Sequence, residues 1–445
     1  MALGGGKWLF QNKVLPGSYI NFVSKDRATV EFADRGFAAM ALDLDWGPEG
    51  EIFAVESADF QKSTTEIFGY DYTHEKMNGL RDMFKNLKTG YFYRLNNGAV
   101  KATSAAGKAR YAGVRGNDLK LVIAANVDET SLFDVTTYLE GTIVDKQTVA
   151  DMANLADNKF IVFDRTYTLA ATAGMPLTGG DNGASITGMQ YQEFLDKVEP
   201  YYFNILACLS TEATIQDLHI QFTKRMRDDV GAKFQTVVWN KENVDYEGVI
   251  SIKNKVTDEG EKPSSLVYWV AGAEASCAIN RSLTNKTYDG DFTVDVNYKQ
   301  SELEKATRAG MMIFHRVTDA VGGDIVGDVN VLDDINTFTS ITKEKNGDFC
   351  DNQVIRVLDQ IAIDIARLFN KQYIGKVPND NDGRMSLWKD IVFHHQTLQG
   401  IRAIQNFVPE DVIVEKGNDK GSVIVTDPVE PTSCMKKLYM TVVVA

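Results

Sequence analysis

Between Thr187 and Val317 the chain alternates helix-period and strand-period segments, and this order narrows the fold more than any single motif. Thr187 caps a helical pattern carrying Tyr191, Phe194, Leu195 and Val198, which Pro200 ends. Residues 203–209 read as a buried strand, and 212–230 as an amphipathic helix with Ile215, Leu218, Phe222 and Met226 inward, stopped by Gly231. A second buried strand (234–239), a helix (264–279) and a strand (311–317) follow. Short apolar strands separated by helices point to a mainly parallel sheet with helices on its faces.

The flanks have other textures. The opening holds short strands around 29–33 and 51–56, and a helix over about 75–87 with Thr73 as its N-cap and Met77, Leu80, Phe84 and Leu87 on one face. A strand over 89–95 completes this small α/β unit. From 96 to 180 short strands dominate (119–126, 132–139, 142–148, 159–164), with one helical hint at 149–156, as expected of a β-sandwich insertion. Residues 178–183 (Thr-Gly-Gly-Asp-Asn-Gly) read as a flexible interdomain linker. Near the other end come two long helices, about 351–373 and 384–407, and strands at 412–415 and 422–426. The first of these helices sets Val354, Leu358, Ile361, Ile365 and Leu368 on one stripe. A chain of 445 residues exceeds one core. The expected class is therefore α/β and α+β multidomain: an arm (1–20), a small α/β domain (21–95), a β-sandwich (96–180), a central α/β domain (181–340), an α+β domain (341–436) and a terminal arm strand (437–445).

Composition removes several functions. A net charge of −14 argues against a nucleic-acid partner, which needs clustered Lys and Arg. Cys208, Cys277, Cys350 and Cys434 are far apart in sequence and form no CxxC pair, which fits buried thiols in a reducing cytoplasm. The first seven residues lack an apolar h-region, and no stretch reaches the ~18 apolar residues of a membrane span.

No catalytic set emerges. Gly4-Gly5-Gly6-Lys7 lacks the spacing of a phosphate loop, and no strand precedes it. Ser185 has no GxSxG around it, and His74, His219, His315, His394 and His395 sit in no triad motif. Adjacent His394 and His395 diverge on a helix and chelate one metal poorly; His395 is expected on the packed face and His394 in solvent. Residues 379–383 (Asn-Asp-Asn-Asp-Gly) resemble a calcium loop, but its ligand positions fall on Pro378 and Lys389, so a helix-capping turn is the better reading. Asp324, Asp328, Asp333 and Asp334 read as a solvated acidic edge. Neither a metal nor a cofactor is expected.

Both extremities carry strand patterns. Leu438, Met440, Val442 and Val444 would line one face of a strand, and Tyr439, Thr441 and Val443 the other. Near the beginning, Tyr19, Ile20, Asn21, Phe22 and Val23 follow a Pro16-Gly17 turn. Unpaired strands of this composition aggregate. They must pair either within their own domain or with a neighbouring molecule, and the residues alone leave both open.

Several stretches resemble one family, the contractile tail sheath proteins of bacteriophages, in particular PBSX-like prophage and R-type bacteriocin sheaths. Leu15-Pro16-Gly17-Ser18-Tyr19-Ile20-Asn21-Phe22 is similar to the family's PGxYxxF opening. Arg110-Tyr111-Ala112-Gly113-Val114-Arg115-Gly116-Asn117-Asp118-Leu119 resembles its R-Y-x-G-x-x-G-N-x-L signature, with Ala112 where many relatives carry Pro or Ser. Val270-Ala271-Gly272-Ala273-Glu274-Ala275, Asn280-Arg281-Ser282-Leu283-Thr284 and Asp334-Ile335-Asn336-Thr337 resemble its central segments. Tyr373-Ile374-Gly375-Lys376, Gly383-Arg384 and Lys437-Leu438-Tyr439-Met440 resemble its carboxy-terminal ones.

The resemblance implies a non-enzymatic structural subunit with a subtilisin-like central domain. Such subunits form six-membered rings stacked helically around a tail tube and contract to drive that tube through a cell envelope. The implied partners are copies of the same chain, the tail tube protein, and baseplate and tail terminator proteins. The implied place is a virion or bacteriocin particle assembled in bacterial cytoplasm. Inter-subunit strands would be residues 19–23 and 438–444, and Arg384, Lys389, Asp390 and Arg402 are candidates for the tube contact. Two other classes fit the same patterns: a different self-assembling shell or baseplate protein, and an α/β enzyme with an unrecognised site.

Overall fold

The computed structural model describes residues 32–96, 98–317 and 327–444. Strand β1 (Phe37–Leu42) runs through the centre of the main sheet with Ala38, Ala39 and Met40 fully buried. Strand β2 (Ile52–Glu56) leads directly into helix α1 (Ser57–Phe68), which Gly69 closes in the left-handed region (φ 81°). Helix α2 (Asn78–Phe84) follows a short 3-10 turn. The cap of that turn is His74, whose Nδ1 accepts from Lys76 N at 3.1 Å; Thr73, the expected cap, folds back onto Asp71. Strand β3 (Thr89–Arg94) pairs parallel with β1 and antiparallel with β2.

The chain then leaves the sheet. Short strands β4 (Thr103–Ser104) and β5 (Gly107–Ala109) precede a meander of β6 (Leu119–Ala125), β7 (Phe133–Leu139) and β8 (Thr142–Val149). Strand β9 (Ile161–Phe163) returns to β5, and β10 (Thr172–Pro176) to β6. A separate core of Leu119, Leu121, Ile123, Val135, Phe160, Ile161 and Leu177 binds these sheets together. The helical hint at 149–156 does not materialise. Gln147 instead both accepts from Ala156 N and donates to Ala156 O, each at 2.9 Å, and so holds that stretch as a turn.

Helix α3 (Gly188–Val198) starts with a capping box between Thr187 and Gln190. Strand β11 (Ile205–Ala207) and helix α4 (Ala213–Lys224) follow, and a π-helical turn extends α4 to Gly231 (φ 91°). Strands β12 (Gln235–Trp239) and β13 (Val249–Ile252), helices α5 (Leu266–Ser276) and α6 (Gln300–Arg308), and strand β14 (Met311–Met312) complete the layer. The sheet order is β14-β13-β12-β11-β1-β3-β2, parallel except for β2. Where the sequence pattern suggests two α/β units, β1 sits between β3 and β11 and fuses them into one sheet. The strand expected at 29–33 is absent at Phe32 and Ala33, and 29–31 lie outside the described residues; the first described strand is Phe37–Leu42, whose run of mostly small apolar residues lacks the β-branched signature of a strand. Helix α5 is apolar on all sides because it is covered on all sides. Its buried Leu266, Val267, Trp269 and Val270 each contribute roughly 1.5–3 kcal/mol. Gly272 admits α2 at close range: a Cβ there would lie 2.2 Å from Met83 O.

Strands β15 (Phe314–Arg316) and β16 (Val329–Val331) form a ribbon ahead of helix α7 (Asn352–Leu368), which a π-turn carries to Tyr373. Helix α8 (Asn381–Gly400) begins where the capping turn was expected, with Asp380 accepting from Gly383 N at 2.8 Å. It stops at Gly400, ahead of the predicted 407. Strands β17 (Ile404–Gln405), β18 (Ile413–Lys416), β19 (Val423–Thr426) and β20 (Glu430–Pro431) form two small ribbons, β17 with β20 and β18 with β19. His394 is not in solvent. Both imidazoles are buried, His394 Nε2 lying 3.0 Å from Asp364 and His395 Nε2 3.0 Å from Asp427.

Candidate assembly surface

Helix α7 departs from its sequence pattern, and the departure explains how the body is held together. The expected apolar stripe is only partly buried at Leu358, Ile361 and Ile365, whereas polar Asn352, Gln353, Arg356, Asp359, Gln360 and Asp364 are buried. Each finds a partner outside the helix, Gln360 donating to Ala33 O at 3.2 Å and Gln353 accepting from Cys434 N at 3.0 Å. Arg356 donates to Asp334 at 2.8 Å, to Glu274 of α5 and to Arg281 O at 2.9 Å; Asn352 donates to Asp334 at 2.8 Å. Asp359 receives a bidentate pair from Arg227 at 2.7 and 2.8 Å. Asp364 accepts from Ala33 N at 2.7 Å and from Gln360 at 3.0 Å.

Electrostatics differ across this seam. Burial, reinforced by the charge of Asp334, raises the Glu274 carboxyl well above the usual range. Burial pushes Asp334 the same way, but the charge and hydrogen bonds of Arg356 outweigh it and hold Asp334 below the usual range. Arg356 thus sits between two carboxyl groups that burial and charge shift in opposite directions. The acidic edge read from the sequence is therefore no edge at Asp334, which is fully buried. Asp333 pairs with Lys436, Asp328 is exposed, and Asp324 lies outside the described residues.

A second seam joins the β-sandwich to the main sheet, and residues 109–119 build it. The Arg115 guanidinium lies 4.3 Å from the Tyr70 ring centroid, donates to Gly69 O at 2.6 Å and pairs with Asp118 and Glu140. Gly113 (φ 125°) is forced by contact: a Cβ would fall 2.0 Å from Asp45 O. Asn117 and Gly180 exchange two hydrogen bonds, at 2.9 and 2.8 Å. Asn182 accepts from Val114 N and donates to Asp45 Oδ1 at 2.8 Å. The 178–183 linker is accordingly pinned on both sides, with further bridges from Thr178 to Thr103 and from Asp181 to Val100. Its Gly-rich composition suggests a hinge, but Asn117 and Asn182 make it a joint.

Beyond these seams lie surfaces without partners among the described residues. The β18–β19 ribbon pairs with no third strand among the described residues and exposes Ile413, Ile424 and Val425. Residues 438–444 join no sheet among the described residues. Leu438, Tyr439, Met440, Val442, Val443 and Val444 are 73 to 91% exposed, and Thr441 is exposed as well. The other strand named from sequence, Tyr19, Ile20, Asn21, Phe22 and Val23, lies outside the described residues.

The residues proposed for a tube contact do not form one stripe. Arg384 is half-buried and bonds Asn379, while exposed Lys389 stands about 140° further round α8. Asp390 accepts from the Tyr373 hydroxyl at 2.6 Å, a pairing the sequence spacing did not reveal. Arg402 lies beyond the helix in a left-handed turn (φ 62°). No group of three metal-binding side chains occurs among the described residues, and no described helix is long and apolar enough to cross a membrane.

Family models match residues 35–95 (tail sheath protein Gp18 domain III N-terminal region), 96–182 (phage tail sheath protein beta-sandwich domain), 184–331 (phage tail sheath protein central domain) and 344–445 (phage tail sheath C-terminal domain). The phage-like element PBSX protein XkdK of Bacillus subtilis is 30% identical over 99% of both chains. The sheath tail protein of Desulfitobacterium hafniense is 36% identical and superposes with a TM-score of 0.81, covering 93% of this chain and 96% of that one. The helical sheath protein of the anti-feeding prophage, solved in its contracted state, shares the fold at 14% identity with a TM-score of 0.54, covering 97% of this chain and 99% of that one. Four consecutive sheath models and these end-to-end relatives place the chain in the phage tail sheath family.

Proposed function

We propose that this subunit polymerises through strand addition and forms a contractile sheath of stacked six-membered rings around a tail tube. The observation that carries the reading is residues 438–444: an apolar segment, exposed and unpaired among the described residues, beside a β18–β19 ribbon that also finds no third strand among them. Bare strand edges and apolar strands are stable only when completed. At a net ~0.5–1.5 kcal/mol per hydrogen bond, six or seven residues contribute a few kcal/mol per junction. Repeated over a lattice, that is enough to keep subunits connected while their bodies move. Residues 19–23 are assigned the same role at the opposite extremity.

The two polar seams support the second half of the reading. They tie the sandwich, the main sheet and α7 together, so the body can rotate as a unit while the arm segments take up the change of angle. The extended polymer is a kinetic trap in this account, and new lateral contacts between bodies supply the driving free energy. Baseplate and terminator proteins cap the polymer, and α8 and its flanking charges touch the tube. The subtilisin-like reading of the central domain rests on the family resemblance and is supported by the parallel order of its strands.

Truncation of residues 438–445 tests the proposal. Negative-stain microscopy and sedimentation should find a folded species that forms no tubes; tubes of normal length from the truncated chain would overturn it.

A further inference from the structure

Residues 430–444 divide sharply into a held part and a free part. Glu430 and Pro431 pair with β17, and Thr432 N donates to Ala403 O at 2.9 Å. Ser433 Oγ donates to Asp351 Oδ2 at 2.6 Å, and Cys434 N to Gln353 Oε1 at 3.0 Å. Lys436 Nζ donates to Asp333 Oδ1 at 2.7 Å and lies 3.1 Å from Asp351 Oδ2. Beyond Lys436, residues 437–444 are all exposed and lie outside every described strand.

The last tether is unlike the others. It is an ammonium only 17% exposed, held between two carboxylates that belong to different parts of the body. Asp333 follows strand β16, next to buried Asp334. Asp351 is the N-cap of α7, where its Oδ1 accepts from Gln353 N at 2.9 Å. Lys436 and Ser433 use the other oxygen of Asp351, so removing the lysine leaves the helix cap in place.

We infer that Lys436 is a positioning residue for assembly: clamped by Asp333 and Asp351, it fixes the point and direction from which residues 438–444 leave the body, and thereby the register in which they pair with the next copy. The inference rests on the strand-addition reading above. Its physical basis is the two-residue period of a strand. With one residue between anchor and strand, a shift of one position turns every side chain to the opposite face, and a shift of two restores the faces. An untethered root would tolerate either.

The experiment compares five forms of the full chain: the parent, Lys436→Met, Lys436→Arg, one alanine inserted after Lys436, and two alanines inserted there. Thermal melting is measured alongside polymer yield by sedimentation and electron microscopy. The expected result is unchanged melting for Lys436→Arg and the two insertions, and a modest fall in melting for Lys436→Met, which leaves Asp333 and Asp351 without their cation. Polymer yield is expected to fall about tenfold for Lys436→Met, the scale of a charged hydrogen bond. Recovery is expected in Lys436→Arg, with loss for the single insertion and partial recovery for the double. Equal tolerance of both insertions, or normal polymers from Lys436→Met, overturns the inference. The truncation of 438–445 serves as the control: if it still assembles, strand addition itself fails, whereas if it alone fails to assemble, only the role of Lys436 is lost.

Discussion

Arg356 of α7 and Asp334, from the segment after β16, meet 2.8 Å apart with side chains almost entirely removed from solvent. This contact joins α7 to the segment that follows the β15–β16 ribbon, and it is a polar contact where apolar packing would be the usual expectation. Removing the cation leaves ionised Asp334 buried without a counter-charge. Arg356→Met should therefore destabilise the fold by roughly 3–5 kcal/mol. A lowered urea midpoint with an unchanged slope is the expected reading.

Asp82 gives a pH signature of its own. Tyr288 Oη and Asp291 N donate to its carboxylate at 2.5 and 2.6 Å, yet burial dominates and pushes the carboxyl up to about 6. The folded value exceeds the ordinary 3.8, so the contribution to stability is fully present below pH ~3.8 and is lost as pH rises through 6. Between those limits the difference amounts to about 3 kcal/mol. Asp82→Asn should flatten that part of the stability-against-pH curve, whatever it does to the absolute level, as measured by denaturant midpoints from pH 4 to 7.

Gly113 tests the sandwich seam. Alanine there would need both a left-handed backbone and space already filled by Asp45 O. Gly113→Ala should cost more than 1 kcal/mol. Because the seam and the sandwich core are adjacent, protease cutting near 178–183 should increase in the same variant.

Charge reversal on α8 and its flank tests the tube contact. Reversing exposed Lys389 and Arg402 to glutamate should reduce co-sedimentation of extended sheath with tail tube, and high salt should mimic the effect in the parent. Exposed charges act at about 0.2–1 kcal/mol each, so a loss of a few-fold is expected, not abolition.

Local chemistry was legible in the sequence where one segment contained both partners. Thr187, the 379–383 turn and Gly231 each announced a helix end that the structure contains. What stayed hidden was pairing over distance. The join of β1 to β11 spans more than 160 residues, and the apolar stripe of α7 gave no sign that Arg356 and Asp359 would be buried against Asp334, Glu274 and Arg227. His394 was assigned to solvent for the same reason, since Asp364 lies thirty residues upstream. The R-Y-x-G-x-x-G-N-x-L motif identified the family, but its purpose became readable only once Asp45, Gly69 and Gly180 stood beside it.

A cryo-electron microscopy structure of the assembled polymer bears most directly on the proposed role. The account predicts residues 438–444 as a strand hydrogen-bonded into the sheet of another copy, with Lys436 still held by Asp333 and Asp351 of its own. A polymer in which those residues bond only within their own subunit, or remain unpaired, would contradict it.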